Sequence, residues 1–396
     1  MTIETLWGRG WAWLGALALV GCLEAPNRAA PGAPQGMEET EPEHQPAAPP
    51  LSHVVSLAHH EAMNVALAVD ERGQLFAAHR PAPGDQLVVS RLDRASWRTI
   101  AGALNERPTA HLATLAFDRQ GTLHAAFLQE TVAGDGYELV VRQVKGEGWQ
   151  DCADRVVVGT AHFHFKADLG FDLENRLLLA YADQEGRLQV KRRDRAGWTT
   201  LAALGTRRYG IRLVVKPDGQ PVVAYLQGRE GSDETTLEVI ARAGEHWVPV
   251  GGTVDRSLTL AELLSPPRLD WDAHGGWLAW TRGSVVGVAR SSGGDWKREP
   301  LTPPMPVRSG RIAFALIDGG ALLATGIDIW FGTRLRRFHQ GAWGPELDAT
   351  PADVRGLGTG PILVTGSGGA AYLAFPGIGT GDLCPLEQLR FEPEIE

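Results

Sequence analysis

A phrase of about thirteen residues recurs along the chain and constrains the fold more than any other feature. It reads LAFDRQGTLHAAF from Leu115, and related copies are LAVDERGQLFAAH from Leu67, LGFDLENRLLLAY from Leu169, LVVKPDGQPVVAY from Leu213 and LDWDAHGGWLAW from Leu269. Each copy places a polar Asp-x-x-Gly turn, or a variant of it, between two apolar runs, which is typical of a β-hairpin. Glycine supplies the positive φ of such a turn, and aspartate can accept hydrogen bonds from the turn amides.

Seven turns of this type divide the chain into repeats. They are Asp70 to Gly73, Asp118 to Gly121, Asp172 to Asn175, Lys216 to Gly219, Asp272 to Gly275, Ile317 to Gly320 and Gly366 to Gly369. Asn175 can replace glycine in the third turn because asparagine also adopts left-handed conformations. The seven hairpins predict seven structural units.

A tryptophan that follows the third strand of each of the first six units gives their period. These residues are Trp97, Trp149, Trp198, Trp247, Trp296 and Trp343, at spacings of 52, 49, 49, 49 and 47 residues. Four strands per unit at this period, without helical periodicity, favour an all-β, seven-bladed β-propeller in which every sheet buries both faces. Tandem immunoglobulin-like sandwiches are the alternative, but they would repeat at about 100 residues. We expect each tryptophan to fill the gap between successive blades.

The two ends of the repeat region, residues 53–396, predict how the ring closes. The seventh repeat has no fourth strand after its predicted strands Pro361 to Thr365, Ala370 to Phe375 and Glu387 to Phe391. The run SHVVSLA precedes the first repeat, where later repeats have the fourth strand of the preceding blade. We therefore predict that Val54 to Ala58 pairs with Leu389 to Phe391, so that the N-terminal strand closes the last blade.

Residues 1–21 have the pattern of a signal peptide. Arg9 precedes the apolar run WAWLGALALVG, which is too short for a comfortable membrane span. The sequence Leu19-Val20-Gly21-Cys22 resembles the bacterial lipoprotein lipobox, which implies cleavage before Cys22, diacylation of its thiol and acylation of the new amine. An ordinary secretory signal with an incidental cysteine is the alternative. Leucine after the cysteine favours a lipid-anchored protein of the cell envelope, at the outer membrane.

Residues 22–52 join this lipid-anchor cysteine to the repeats. Proline, alanine and glutamate dominate the segment, and so few apolar side chains cannot offset the entropy of ordering it. We expect a disordered spacer between the membrane and the propeller. The net charge of −9 and the scattered arginines make a poor surface for counterion release, so we expect no nucleic-acid partner.

The repeats resemble those of secreted bacterial seven-bladed propeller lipoproteins of the sialidase-like and lectin-like kind, over residues 53–396. The resemblance implies the propeller architecture. The sialidase Asp-box, Ser-x-Asp-x-Gly-x-Thr-Trp, is absent from every repeat, and no arginine can be matched to the carboxylate-binding arginine triad of those enzymes. The resemblance therefore does not extend to hydrolysis of sialosides.

Motifs for other chemistry are missing from the sequence. The run Thr365 to Gly369 fails the Gly-x-Ser-x-Gly pattern at its first position, and there is no Cys-x-x-Cys, no His-Glu-x-x-His and no phosphate loop. We therefore predict no catalytic residues and no cofactor. Cys152 and Cys384 lie in distant repeats and are expected to be unpaired thiols, with Cys152 as a small buried side chain.

Histidine placement is the one feature that points to a site. His59, His60, His111, His162 and His164 lie in the segments that enter the first strands of repeats one to three, and His79 is expected in a loop of the same axial face. His162 and His164 would point the same way in a strand, a geometry that can chelate zinc. No carboxylate or cysteine completes a ligand set, so we predict a ligand site without a metal.

These features favour an anchored, monomeric binding or scaffolding module. Propellers present broad, rigid faces lined by loops, which suit an envelope protein or a glycan as ligand. The alternative is a glycan-acting hydrolase or lyase with carboxylates at the axial mouth, about 5 to 10 Å apart.

Overall fold

The computed structural model describes most of the repeat region. The described residues are 54–56, 66–81, 86–93, 96–107, 111–159, 167–232, 234–259, 266–292, 294–307, 312–317, 320–326, 333–348, 361–365, 371–376 and 386–391. The chain divides into two compact units, residues 1–49 and 50–396, and every described residue belongs to the second unit. Within the described ranges, no helix is long and apolar enough to cross a membrane.

The described part of the chain is built from strands that form seven sheets. Strand β1 (Val54–Ser56) comes first and belongs to the last sheet. Sheet 1 contains β2 (Ala66–Val69), β3 (Leu75–His79), β4 (Val88–Asp93) and β5 (Ser96–Ala103). Sheet 2 contains β6 (His111–Phe117), β7 (Leu123–Glu130), β8 (Tyr137–Lys145), β9 (Gly148–Asp151) and β10 (Val156–Gly159). Sheet 3 contains β11 (Ala167–Phe171), β12 (Leu177–Ala182), β13 (Leu188–Asp194) and β14 (Gly197–Leu204).

The remaining sheets follow in chain order. Sheet 4 contains β15 (Arg208–Val215), β16 (Pro221–Gly228), β17 (Glu234–Ala243), β18 (His246–Pro249) and β19 (Asp255–Thr259). Sheet 5 contains β20 (Arg268–Asp272), β21 (Gly275–Arg282), β22 (Val285–Ser291) and β23 (Trp296–Arg298). Sheet 6 contains β24 (Ile312–Ile317), β25 (Gly320–Gly326), β26 (Thr333–His339), β27 (Ala342–Trp343) and β28 (Leu347–Asp348). Sheet 7 contains β29 (Ile362–Thr365), β30 (Ala371–Pro376) and β31 (Leu386–Phe391), together with β1.

The sheets are antiparallel meanders arranged around an axis, which confirms the predicted all-β propeller fold. Each first strand contacts the first strand of the next sheet, from β2 through β6, β11, β15, β20 and β24 to β29, and β29 contacts β2. Apolar clusters fill the gaps between adjacent sheets. One of them joins Leu67 of sheet 1 to Tyr372 of sheet 7. Both faces of each sheet are therefore covered, as propeller packing requires.

The turns between first and second strands have the chemistry that their sequence predicts. Asp118 Oδ1 accepts hydrogen bonds from the amides of Gln120 and Thr122, both at 2.8 Å. Gly121 has a φ of 76° and donates its amide to the Asp118 carbonyl. Asn175 has a φ of 61° at the matching position of sheet 3, so it does replace glycine there.

The repeated tryptophans connect neighbouring sheets, as expected. The indole Nε1 of Trp198 donates to the Asp154 carbonyl at 2.9 Å, and that of Trp247 donates to the Leu201 carbonyl at 3.0 Å. Trp296 bonds to the Val250 carbonyl at 2.8 Å. Each acceptor lies in the outer part of the preceding sheet. These residues therefore have a structural role that needs no bound sugar.

The N-terminal strand completes sheet 7. Strand β1 is antiparallel to β31, with Val54 opposite Leu389 and Ser56 opposite Glu387. The predicted pairing of these two strands is confirmed, but the register differs: β1 lies opposite Leu389, Gln388 and Glu387 rather than Leu389 to Phe391, and Leu57 and Ala58 lie outside the described ranges. Sheets 2, 4 and 6 differ from the simple four-strand expectation. Their outer strand is divided into two segments, and both segments pair with the third strand of the sheet. These segments are β9 and β10 in sheet 2, β18 and β19 in sheet 4, and β27 and β28 in sheet 6.

Candidate functional site

Four charged side chains interrupt the apolar first strands that surround the axis. We call them the inner-ring cluster: Asp168 of β11, Arg212 of β15, and Arg268 and Asp270 of β20. They occupy three consecutive sheets and carry two positive and two negative formal charges. Charges in such strands must be paired or hydrogen-bonded, because an isolated buried charge is strongly unfavourable.

The carboxylate of Asp168 joins sheets 3 and 4. It is 7% exposed, and its Oδ2 accepts hydrogen bonds from the Leu213 amide at 2.9 Å and from Arg212 Nη1 at 3.0 Å. The Leu213 amide lies on the free edge of a first strand, where no further strand can supply an acceptor. Asp168 therefore provides a hydrogen-bond acceptor for the unpaired edge of β15 and holds the Arg212 guanidinium beside it.

Sheets 5 and 6 are joined in the same way. Asp270 accepts hydrogen bonds from the Leu316 amide at 3.1 Å and from the Trp271 amide at 2.8 Å. Arg268 Nε donates to the Ile312 carbonyl at 3.1 Å. Both side chains thus bond to the backbone of the next first strand, which orients them around the axis.

The surroundings of the cluster change its proton affinities. Burial, together with the positive charge of Arg212, lowers the pKa of Arg268 to about 10, so this guanidinium is still protonated at neutral pH. Burial raises the pKa of Asp270, although its two backbone hydrogen bonds and Arg212 oppose the shift. A carboxyl group with a raised pKa can donate as well as accept a proton.

Arg212 is the member that is open to a ligand. Its side chain is 38% exposed, whereas the Asp168 carboxylate is almost completely covered. Within the described residues, its Nε is buried and has no hydrogen-bond partner. The guanidinium therefore has donors to spare after its bond to Asp168.

The structure describes two of the six predicted histidines, His79 and His111. His79 is the last residue of β3, not part of a loop, so that expectation is wrong. It is 1% exposed, and its Nε2 lies 2.9 Å from Ser90 Oγ. His79 is therefore almost completely covered, and Ser90 of the next strand is one partner of its imidazole.

The other predicted site residues remain untested. His111 is the first residue of β6, at the predicted entry to a first strand. His59, His60, His162, His164 and the anchor Cys22 lie outside the described residues. Among the described side chains, no group of three or more His, Cys, Asp or Glu is placed to hold a metal ion.

The inner-ring cluster was not predicted from the sequence, although a signal was present. Sheets 4 and 5 carry Arg212 and Arg268 at the position of Asp168, whereas the other sheets carry alanine, threonine or isoleucine there. A charged residue in an otherwise apolar inner strand is the signal. Aligning the repeats on their turns places three members of the cluster in this one column, with Asp270 two residues later.

No protein-family model and no curated protein sequence matches the chain. Solved structures match its fold. Polysaccharide lyase Uly1 has a TM-score of 0.57 at 10% identity, covering 86% of this chain and 99% of that one. The α-L-arabinanase of Penicillium chrysogenum, complexed with arabinobiose, has a TM-score of 0.51 at 14% identity and covers 86% and 97%. The GH93 α-L-arabinofuranosidase of Fusarium graminearum with arabinobiose has a TM-score of 0.50 at 12% identity and covers 83% and 93%. At these identities the likeness establishes the fold and not the activity.

Proposed function

We propose that this chain is a seven-bladed, lipid-anchored propeller of the cell envelope that binds a glycan at the opening of its ring axis. The seven sheets, and the unbroken circle of contacts between their first strands, support the blade count. The lipobox at Leu19 to Cys22 supports the anchor. The spacer of residues 22–52 would keep the propeller clear of the membrane surface.

The inner-ring cluster is the observation that carries the glycan proposal. A sugar presents many hydroxyl groups, each able to donate and accept, so its site needs a few fixed polar groups rather than a single charge. Arg212 provides exposed donors, and Asp168 holds it in place. The sequence places further histidines just before the first strands, and we propose them as additional contacts to the ligand.

The structural neighbours support the same ligand class. A polysaccharide lyase and two structures complexed with arabinobiose share the fold. Propellers bind ligands through loops at one end of a rigid ring, so a shared fold makes a shared location of the site reasonable. The lectin-like repeats that the sequence resembles agree with binding.

Cleavage of the glycan is the second candidate function. Asp168 and Asp270 lie on β11 and β20, the first strands of sheets 3 and 5, and burial raises the pKa of Asp270. A glycosidase needs two carboxyl groups, one of them with a raised pKa as its general acid. This arrangement favours a hydrolase over a lyase for any catalytic role.

The test is a glycan array probed with the protein lacking residues 1–50, followed by analysis of any bound sugar. Arg212→Ala should weaken binding about 10- to 100-fold, because it removes charge-assisted hydrogen bonds. Arg195→Ala is the matched control, since Arg195 is exposed in the turn between β13 and β14. Recovery of the ligand intact supports binding alone, and recovery of shortened fragments supports the hydrolase. Equal binding by both variants would remove the inner-ring cluster as the site.

A further inference from the structure

Sheet 2 contains an aligned row of an acid, an imidazole and a thiol, away from the ring axis. Cys152 Sγ lies 3.4 Å from His124 Nδ1, and His124 Nε2 lies 3.5 Å from Asp118 Oδ2. His124 is the second residue of β7, Asp118 begins the turn before it, and Cys152 follows β9. The imidazole also packs on the Phe171 ring, with centroids 4.8 Å apart, so its orientation is fixed from both sides.

The surroundings set the proton positions along this row. Burial lowers the pKa of His124, against the effect of Asp118, so the ring is neutral at pH 7. Burial, followed by the charge of Asp151, raises the pKa of Cys152 to about 12, although Arg193 opposes this. Burial would raise the pKa of Asp118 as well, but hydrogen bonds from the Thr122 and Gln120 amides hold it below its usual range. In the resting state the thiol therefore donates to Nδ1, and the Nε2–H lies close to the Asp118 carboxylate without a hydrogen bond to it.

The thiol borders a surface cleft. The cleft is lined by Asp151, Cys152, Ala153, Asp154, Arg155 and Arg193. Cys152 is partly exposed and is not in a disulfide. Two hydrogen bonds of 2.8 Å hold the backbone of Cys152. Its amide donates to the Val141 carbonyl, and its carbonyl accepts from Arg193 Nε. A small molecule in the cleft can therefore approach a sulfur that has a base behind it.

We propose that Asp118, His124 and Cys152 form a base-assisted thiol site that undergoes exchange with small-molecule disulfides. As Sγ attacks, its proton passes to His124 Nδ1 and its electron pair forms a bond to one sulfur of the reagent. The reagent's own S–S bond breaks, and the electron pair leaves on the second sulfur, which takes the proton from the imidazolium. Asp118 stabilises the imidazolium during the step. One disulfide bond replaces another, so the reagent is the only oxidant.

The pH dependence of the reaction separates this site from an ordinary cysteine. A free thiol reacts through its thiolate, so its rate falls about tenfold per pH unit below its pKa. A thiol that passes its proton to a neutral imidazole keeps its rate until that imidazole is itself protonated. The charged groups around the row are Asp118, Asp151, Asp154, Arg155 and Arg193.

The experiment treats the full chain with bis(2-hydroxyethyl) disulfide, which is uncharged, and measures the mixed disulfide at Cys152 by peptide mass mapping. Between about pH 6 and pH 8 the rate should change less than about threefold, while N-acetylcysteine follows the thiolate slope. His124→Gln should lower the rate near pH 7 by about 100-fold and restore that slope. His246→Gln, at an exposed position in β18, should change neither.

Two results would overturn the proposal. One is a wild-type rate that follows the thiolate slope, or no reaction at Cys152 at all. The other is a His124→Gln variant that reacts like the wild type. If this variant does not fold, the wild-type pH profile and Asp118→Asn decide, and Asp118→Asn should lower the rate about tenfold because the imidazolium loses its counter-charge.

Discussion

Gly287 lies directly beneath a buried indole. Its cross-strand partner in sheet 5 is Trp280, which is 1% exposed and donates Nε1 to Asp255 Oδ2 at 2.7 Å. Asp255 also forms an ion pair with Arg298, in which Oδ1 and Nη2 are 2.8 Å apart. A Cβ on Gly287 would come within 2.4 Å of the Trp280 ring, and the ring cannot move away without losing its hydrogen bond. Because Gly287 has no side chain, Trp280 can lie close enough to Asp255 to form this hydrogen bond.

Gly287→Ala should therefore destabilise the protein by about 1–3 kcal/mol, the usual effect of overpacking a core. Gly148→Ala is the matched control, because Gly148 is also in a strand and its Cβ would meet nothing within 4 Å. Chemical denaturation of both variants measures the difference. An equal midpoint for the two would mean that Trp280 shifts freely.

At the residue scale the sequence predicted the local chemistry and missed the long-range contacts. The turn at Asp118 follows from rules that involve only neighbouring residues, and it was predicted. The bond from Asp168 to Leu213 joins residues 45 apart and depends on how two sheets are stacked. His79 was misplaced for a related reason, since the end of β3 could not be located to within a residue from the pattern alone.

At the scale of elements, the closing strand β1 was predictable and the division of the outer strands was not. Its pairing with β31 was predictable because the last repeat lacks a strand and a matching apolar run precedes the first one. The division of the outer strands into β9 and β10, or β18 and β19, was not predictable. Edge strands are short and irregular, and their pattern is too weak to give their boundaries.

The role of β1 can be measured by two truncations. Deleting residues 1–50 should leave the melting temperature nearly unchanged, because β1 is kept. Deleting residues 1–60 removes β1 and exposes the edge of β31, so the melting temperature should fall by roughly 5 °C or more, or the protein should aggregate. Equal melting temperatures would show that β1 does not contribute to closure and that the blade count needs revision.

At the scale of the whole molecule, the anchor and the propeller should be separable. Cys22→Ser should move the protein from the membrane fraction to the soluble fraction without changing its thermal unfolding, because residue 22 lies outside the repeats that form the propeller. Fractionation of cells and a melting curve of the released protein measure both. Membrane retention of the variant with unaltered processing would contradict the lipoprotein proposal.

Closure by β1 also has a consequence for the order of events during synthesis. Its partner β31 begins at Leu386, 330 residues after Ser56 ends β1. At a translation rate of about 5–20 residues per second, the first strand made waits on the order of 15 to 65 s before its partner exists. Throughout that interval every nascent chain has an unpaired strand at its leading end. The ring can therefore close only after β31 has been translated, so a nascent chain that stops before Leu386 cannot complete sheet 7.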